Sequence, residues 1–321
     1  MQSIQTGHPF VLSSVKPLEG LLRYRDYCLE ATRKVLSRGS SRRVQSPINN
    51  EALEPWGQIG GLDYLQCPKT GSLFLAELPS APLWGALLKE TNDYRNSSKG
   101  FHADIVKTRL ENVYQPKCDW IKNTLKLQGV KCQHLLELAT LPNPFTALLK
   151  AESEFKAVTT LDETLFLSGK ETENSFFDVA VLLESLDRVH DPLSLLRQTA
   201  ASLKKGGLLF VTALAASGFD FTLLGKNNTY LYPPDRTNCF SLEGLKQMLA
   251  RVGFGLVEVS TPGVLDVEVV QAHLRQKTGI SLSPFEKRLL SAGPETHSAF
   301  QSFLQQCNLS SFVRVVGKKG E

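Results

Sequence analysis

The stretch FFDVAVLLESLDRVHDPLSLLRQTAASLKKGGLLFVTAL, Phe176 to Leu214, decides the fold. Its opening residues form an apolar, Val- and Leu-rich run, the pattern of a strand buried on both faces. Asp191-Pro192 then opens a helix, with Asp as N-cap and Pro at the first helical position. Gly206-Gly207 closes that helix, and LLFVTAL reads as a central strand. The same alternation continues on either side. HLLELA (134–139) is a strand, PFTALLKAES (144–153) a helix and FKAVTTLDE (155–163) a strand, followed by a short third unit around Thr164–Lys170. SLEGLKQMLARVGF (241–254) is a helix entered from Ser241, and GLVEVST (255–261) is a strand. After two further helical stretches, SFVRVVGKK (311–319) reads as a last, antiparallel strand. Strands alternating with helices predict an α/β, Rossmann-like, doubly wound sheet, mostly parallel and seven-stranded, with only the last strand reversed.

Upstream, residues 1–127 read as an N-terminal helical and β-ribbon region and 128–321 as the α/β domain. Leu18, Leu22, Leu29, Thr32 and Leu36 recur at helical spacing, with Gly39 as the expected C-cap. Residues 37–55 are polar and turn-rich, the composition of a linker. From Gly57 to Pro82 short apolar runs alternate with Gly and Pro, which predicts a small β-ribbon. Leu83 to Leu127 reads as helices broken near Asn96–Gly100 and at Pro116.

An apolar fraction of 42% is enough for a core, and no run approaches the ~18–20 apolar residues of a membrane span. The first residues lack a charged segment followed by an apolar one, so the expected location is the cytoplasm. Six cysteines scattered without paired spacing are expected to be reduced thiols. The net charge of +4 is local: Arg23, Arg25, Arg33, Lys34, Arg38, Arg42 and Arg43 face only Asp26 and Glu30. No nucleic-acid reader motif accompanies them, so nucleic acid is not an expected partner. The basic amphipathic helix is expected to dock on its own domain, on a second copy or on a protein partner, with an anionic membrane surface or nucleic acid as the alternative to docking.

In such a sheet, ligands bind beyond the carboxyl ends of the strands, near the point where strand order reverses. Two acids stand where a nucleoside cofactor needs them. Glu137 lies in the first core strand, and Asp162 ends the second, about 25 residues on, where a ribose-binding carboxylate belongs.

The segment Leu135–Lys319 resembles class I S-adenosylmethionine (SAM) dependent methyltransferases. More narrowly, the chain resembles bacterial methyltransferases of polysaccharide and sugar-nucleotide pathways with a small Cys-containing N-terminal unit. The motifs that carry this are LLESLDRVHDPLSLLRQTAASLKKGGLLFVT, LYPPDRTNCFS (231–241) and STPGVLDVEVV (260–270). The resemblance implies SAM as cofactor and a small-molecule acceptor, a sugar or glycan precursor. It implies cofactor contacts from Glu137, Ala139, Thr140, Asp162, Leu183, Glu184 and Ser185. The acceptor is expected on the Tyr232–Asn238 side, with His190, Tyr232 and Arg236 as candidates for catalysis.

The departures from the family pattern matter equally. Its first motif reads acid-x-Gly-x-Gly-x-Gly, because only glycine lets the backbone approach the cofactor so closely. Here the loop is Glu137-Leu138-Ala139-Thr140-Leu141-Pro142-Asn143-Pro144, with added bulk and two missing N–H donors. Arg188 and Arg236 replace the family's histidines, and an Arg stays protonated where a His can shuttle a proton. Relatives hold zinc with paired Cys-x-x-Cys motifs, whereas Cys67-Pro68-Lys69-Thr70 keeps one cysteine, so no metal is expected. Three functions follow as expectations: a SAM-dependent methyltransferase, a methyltransferase-like scaffold or partner subunit that no longer binds SAM, and, last, a different nucleotide-using α/β enzyme.

Overall fold

The computed structural model describes residues 12–97, 99–100, 102–169, 174–276 and 279–320. Its strands are β1 (Ser41–Arg42), β2 (Glu54–Ile59), β3 (Leu62–Gln66), β4 (Leu73–Leu75), β5 (Glu77–Leu78), β6 (His134–Leu138), β7 (Ala157–Leu161), β8 (Phe177–Leu183), β9 (Leu203–Leu214), β10 (Asn238–Cys239), β11 (Phe254–Ser260) and β12 (Phe312–Lys319).

The main sheet has six strands in the order β11-β12-β9-β8-β6-β7. β7, β6, β8 and β9 run parallel, and β12 lies antiparallel between β9 and β11. The expectation of seven strands is corrected to six. After Asp162 the chain enters the helix Glu163–Leu167 instead of a third parallel strand, which leaves β7 paired with β6 alone. The reason is local: the Asp162 side chain accepts from the Thr164 N–H and caps that helix, so the backbone coils at once. The helix Pro192–Ser202 likewise ends before the glycines. β9 begins at Leu203 and carries Gly206-Gly207 within it, Gly206 at a positive φ of 73°.

Alternation in the strands sorts the core into two layers. Leu135, Val179, Val181, Leu208, Phe210 and Val316 face Trp120, Ile121, Phe145 and Leu149 of the helices Gln115–Gln128 and Pro144–Ala151. Leu136, Leu138, Ala180, Leu182, Leu209, Val211 and Val315 face Leu195, Leu196, Leu245, Met248 and Leu249 on the opposite helices.

The N-terminal part is built onto this sheet. The helix Leu18–Leu36 buries Leu21, Tyr24, Cys28, Leu29, Thr32 and Val35 against its own chain. Its C-cap is Ser37, two residues before Gly39. The ribbon is a four-stranded sheet, β10-β4-β3-β2, so a strand from residues 238–239 pairs into a unit formed by residues 54–75. The polar stretch 37–55 contains β1, which pairs with β5. The helix Ala81–Asn96 stops where expected. The next irregularity is a π-helical turn at Leu110–Tyr114, with Pro116 in the first turn of the following helix. No helix among the described residues is long and apolar enough to cross a membrane.

Candidate functional site

β7 lies to one side of β6 and β8 to the other, so strand order reverses between β6 and β8. At the carboxyl ends of β6, β8 and β9 opens a cavity of about 240 Å³. Its floor comes from Ala139, Thr140, Glu163, Leu183, Glu184 and Leu214. Its walls combine Tyr230, Tyr232, Asp235 and Arg236 with Lys16, Tyr24, Arg95, Arg109 and Lys117 of the N-terminal region. The N-terminal region therefore helps build the site.

The loop after β6 satisfies itself. Glu137 is 1% exposed and accepts from Asn143 Nδ2 (3.0 Å), Thr146 Oγ1 (2.7 Å) and Thr160 Oγ1 (3.0 Å). Burial raises its pKa, with the Thr146 and Thr160 hydroxyls pulling the other way. The Asn143 Oδ1 accepts from the Phe145 N–H at 3.1 Å, and the Asn143 carbonyl accepts from the Thr146 N–H at 3.2 Å. Pro144 has no N–H to offer. The first donors of the helix Pro144–Ala151 are therefore all taken up by the loop, and this helix N-terminus presents none to a ligand. The Ala139 N–H donates to Leu161 O, which leaves the Thr140 and Leu141 N–H groups without a backbone acceptor among the described residues.

The opposite rim is a network of charged side chains. Glu184 sits at φ 63°, ψ 12°, a left-handed conformation unusual for a residue with a Cβ. Its carboxylate lies 2.6 Å from Arg236 Nη2 and 3.6 Å from Lys117 Nζ. Burial opposes its ionisation, but Arg236, Lys117 and Arg188 outweigh it and hold the pKa well below the usual range. Asp235 accepts from the Tyr24 and Tyr232 hydroxyls, both at 3.3 Å, and lies 3.6 Å from Arg188 and 3.9 Å from Arg95. Burial again works against its charge and is overcome by Arg188, Arg95 and Arg236, so its pKa is lowered. Arg236 also lies 3.4 Å from Asp187, which is fully buried and accepts from the Leu214 N–H at 3.1 Å. Burial pushes Asp187 up to about 7, with Arg236 pulling down.

The N-terminal unit fixes these arginines through their backbones. Tyr64 Oη donates to Arg236 O at 2.7 Å, and Trp84 Nε1 donates to Arg188 O at 2.8 Å. Asn238 Nδ2 donates to Leu186 O (2.9 Å) and Val189 O (2.8 Å) and ties the turn together.

The residues singled out from the sequence divide accordingly. Ala139, Thr140, Leu183, Glu184, Tyr232 and Arg236 converge on the cavity. Ser185 lies behind it, its hydroxyl donating to Leu138 O at 2.7 Å. Glu137 is in the layer beneath, and Asp162 turns away to cap its helix, accepting from the Thr164 N–H (2.9 Å) and hydroxyl (2.5 Å). His190 is outside, its Nε2 2.9 Å from Pro79 O and its pKa lowered by burial. Cys67 is buried in the β3–β4 turn, with no cluster of three or more metal-ligating side chains among the described residues.

Several lining residues escaped the sequence reading, among them two buried acids. Glu163, 2% exposed, accepts from Thr140 Oγ1 at 3.1 Å, and its pKa is raised by burial and then by Asp162. Asp220, within the aromatic FDF segment, accepts from Asn228 Nδ2 at 3.1 Å and from the Ser311 hydroxyl. Burial, helped by Asp266, pushes Asp220 up to about 7.

Residues 118–259 match the family model of a methyltransferase domain, a span that runs from the helix before β6 into β11. Solved structures with a similar fold include a SAM-dependent methyltransferase from Archaeoglobus fulgidus. It is 14% identical, with 70% of this chain and 98% of that one covered, at a TM-score of 0.41. Phosphoethanolamine N-methyltransferase 2 of Haemonchus contortus, in complex with SAM, is 15% identical. There 78% of this chain and 63% of that one are covered, at a TM-score of 0.40. Likeness at this level concerns the fold alone. No curated protein matches the sequence.

Proposed function

We propose, from a chain whose residues 118–259 match a methyltransferase domain, that this protein transfers a methyl group from SAM to a small acceptor. The observation that carries the reading is the cavity across the ends of β6 and β8, which stays open although the glycine loop beside it is gone. The residues present can hold the cofactor in a different way. The Thr140 and Leu141 N–H groups remain available at the end of β6, and Glu163 brings a carboxylate to the ribose side. Glu184, in its left-handed turn, faces the ammonium end.

When bound, SAM supplies an electrophilic methyl group on a sulfonium, chemistry that asks mainly for alignment of the acceptor. The wall of Tyr24, Tyr232 and Asp235 would position that acceptor and exclude water. Arg236 stays cationic, and Tyr232 is held far above the usual phenol range by burial and then by Asp235, so neither takes a proton. Asp220, which lines the cavity at about 7, is the group suited to accept a proton from an acceptor hydroxyl. A sugar or glycan precursor remains our reading of that acceptor, supported by the sequence resemblance and by a polar, charged cavity. A second copy or protein partner would have to use the exposed Arg23, Glu30, Arg33 and Lys34 face, because the apolar face of that helix is covered.

One observation favours the second reading, a non-catalytic methyltransferase-like subunit: Asn143 and Pro144 take up or remove the donors that a glycine loop presents. Hydrogen exchange separates the two. SAM binding should slow exchange of the Thr140 and Leu141 amides, and unchanged exchange at saturating SAM would favour the second reading.

A further inference from the structure

Four cations lining the cavity have a carboxylate close by. Arg95 and Arg188 lie 3.9 and 3.6 Å from Asp235, and Lys117 and Arg236 lie 3.6 and 2.6 Å from Glu184. Three others, Lys16, Arg109 and Arg314, have no carboxylate within 4 Å among the described residues. Arg109 Nη1 donates to Val15 O at 3.1 Å, which sets it beside Lys16. The Nε atoms of Arg109 and Arg314 are buried without a hydrogen-bond partner among the described residues, as are those of Arg95, Arg188 and Arg236, so what sets Arg109 and Arg314 apart is the missing carboxylate.

Lys117 links Arg109 to Arg314 in a row, and Lys16, which lies 4.1 Å over the Tyr230 ring, adjoins its Arg109 end. The Tyr114 ring has Arg109 at 5.4 Å and Lys117 at 6.0 Å, and the Phe312 ring has Lys117 at 5.2 Å and Arg314 at 5.9 Å. Arg314 is only 3% exposed and lies 5.0 Å over the Trp120 ring. Lys16 and Arg109 are half-buried and Arg314 is buried; a ring face compensates such a cation only in part, and a buried charge left uncompensated is destabilising. Such a row is built for an anion.

Position decides which anion. The cofactor's amino-acid end belongs at the loop after β6. Arg314 is on β12, three strands away across β8 and β9, or about 14 Å at ordinary strand spacing. We propose that Arg314, Arg109 and Lys16 form an oxyanion subsite that holds the phosphate or carboxylate group of the methyl acceptor. The inference rests on the methyltransferase reading for the word acceptor, but the anion site itself does not.

The test is calorimetry of the full chain with inorganic pyrophosphate and, separately, with S-adenosylhomocysteine. Wild type should take up one pyrophosphate. R314Q and R109Q should each weaken that binding about tenfold or more, as expected for loss of a charge-assisted contact. K246Q, on an exposed helix face, should bind pyrophosphate as wild type does. S-adenosylhomocysteine affinity should be nearly unchanged in R314Q. Thermal unfolding confirms that each variant is folded, and K16Q, outside the sheet, supplies the same test if R314Q does not fold. Pyrophosphate and succinate both failing to bind a folded wild type would overturn the proposal, as would equal binding by all the variants. Weakened S-adenosylhomocysteine with unaltered pyrophosphate would also overturn it, by giving the arginine to the cofactor. Pyrophosphate binding without S-adenosylhomocysteine binding upholds the anion site and removes the methyltransferase reading.

Discussion

The two rims of the cavity solve opposite problems. After β6 the loop has closed on itself: Asn143 caps the following helix and donates to Glu137, and no helix N–H points outward. Across the cavity, Glu184, Asp187, Asp235, Arg188 and Arg236 are packed at ion-pair distances, with further cations beside them that lack a carboxylate. One rim offers little and is internally satisfied; the other holds charge that water cannot easily reach. Apart from the Thr140 and Leu141 amides, binding capacity lies in side chains. Specificity should therefore reside in the charged rim, and the Asn143–Pro144 turn should matter mainly for stability.

The largest test of that contrast is Arg236→Ala. It strands Glu184 and Asp187 without their strongest partner, and removing one member of a buried pair costs about 3–5 kcal/mol. Urea unfolding at neutral pH should show the loss. Because burial already favours the protonated form of Asp187, the loss should shrink as pH falls below about 7, where that group no longer carries charge in the folded state. A loss independent of pH would break the account of the pair.

Asp220→Asn should come next, with methyl transfer reduced about a hundredfold, the scale of a positioned base. The pH profile gives the sign. In wild type the rate should rise through about pH 7 as Asp220 loses its proton, and the variant should lack that step. A wild-type profile flat from pH ~6 to ~8 would remove Asp220 from this role.

The floor is sharpened by comparing neighbours. Glu163→Gln should weaken cofactor binding by roughly 1–3 kcal/mol, the cost of a charged hydrogen bond in a buried site. Asp162→Ala should leave binding nearly intact and cost about 1 kcal/mol of stability through the lost helix cap. The opposite ranking in calorimetry would return the ribose to Asp162.

Smallest is Asn143→Ala, expected to lower stability by about 1 kcal/mol for the cap and somewhat more for the donor withdrawn from Glu137. Cofactor affinity should hardly move, and a large loss of affinity would show that the Asn143 turn, and not only the Thr140 and Leu141 amides, contacts the ligand.

The sequence made the parallel sheet readable because strand alternation, Asp191-Pro192 and Ser241 are local signals, and local signals set elements. One residue carried two signals. Asp162 has the position of a ribose ligand, but Thr164 two residues on makes it a helix cap, a start signal that DETLFL itself carries. The same cap removes the seventh strand. The N-terminal wall was not legible, because contacts such as Tyr64 to Arg236 join residues 172 apart and no periodicity encodes them. Lys16, Arg95 and Arg109 belong to no motif, and only the fold brings them to one cavity.

The central claim is that this cavity still takes SAM without a glycine loop. Isothermal titration of the unmodified full chain with S-adenosylhomocysteine tests it most directly. The account predicts one site of low affinity, with a Kd on the order of 100 μM or about 5.5 kcal/mol, weakened further in Glu163→Gln. A folded protein that gives no saturable heat with either S-adenosylhomocysteine or SAM would contradict it.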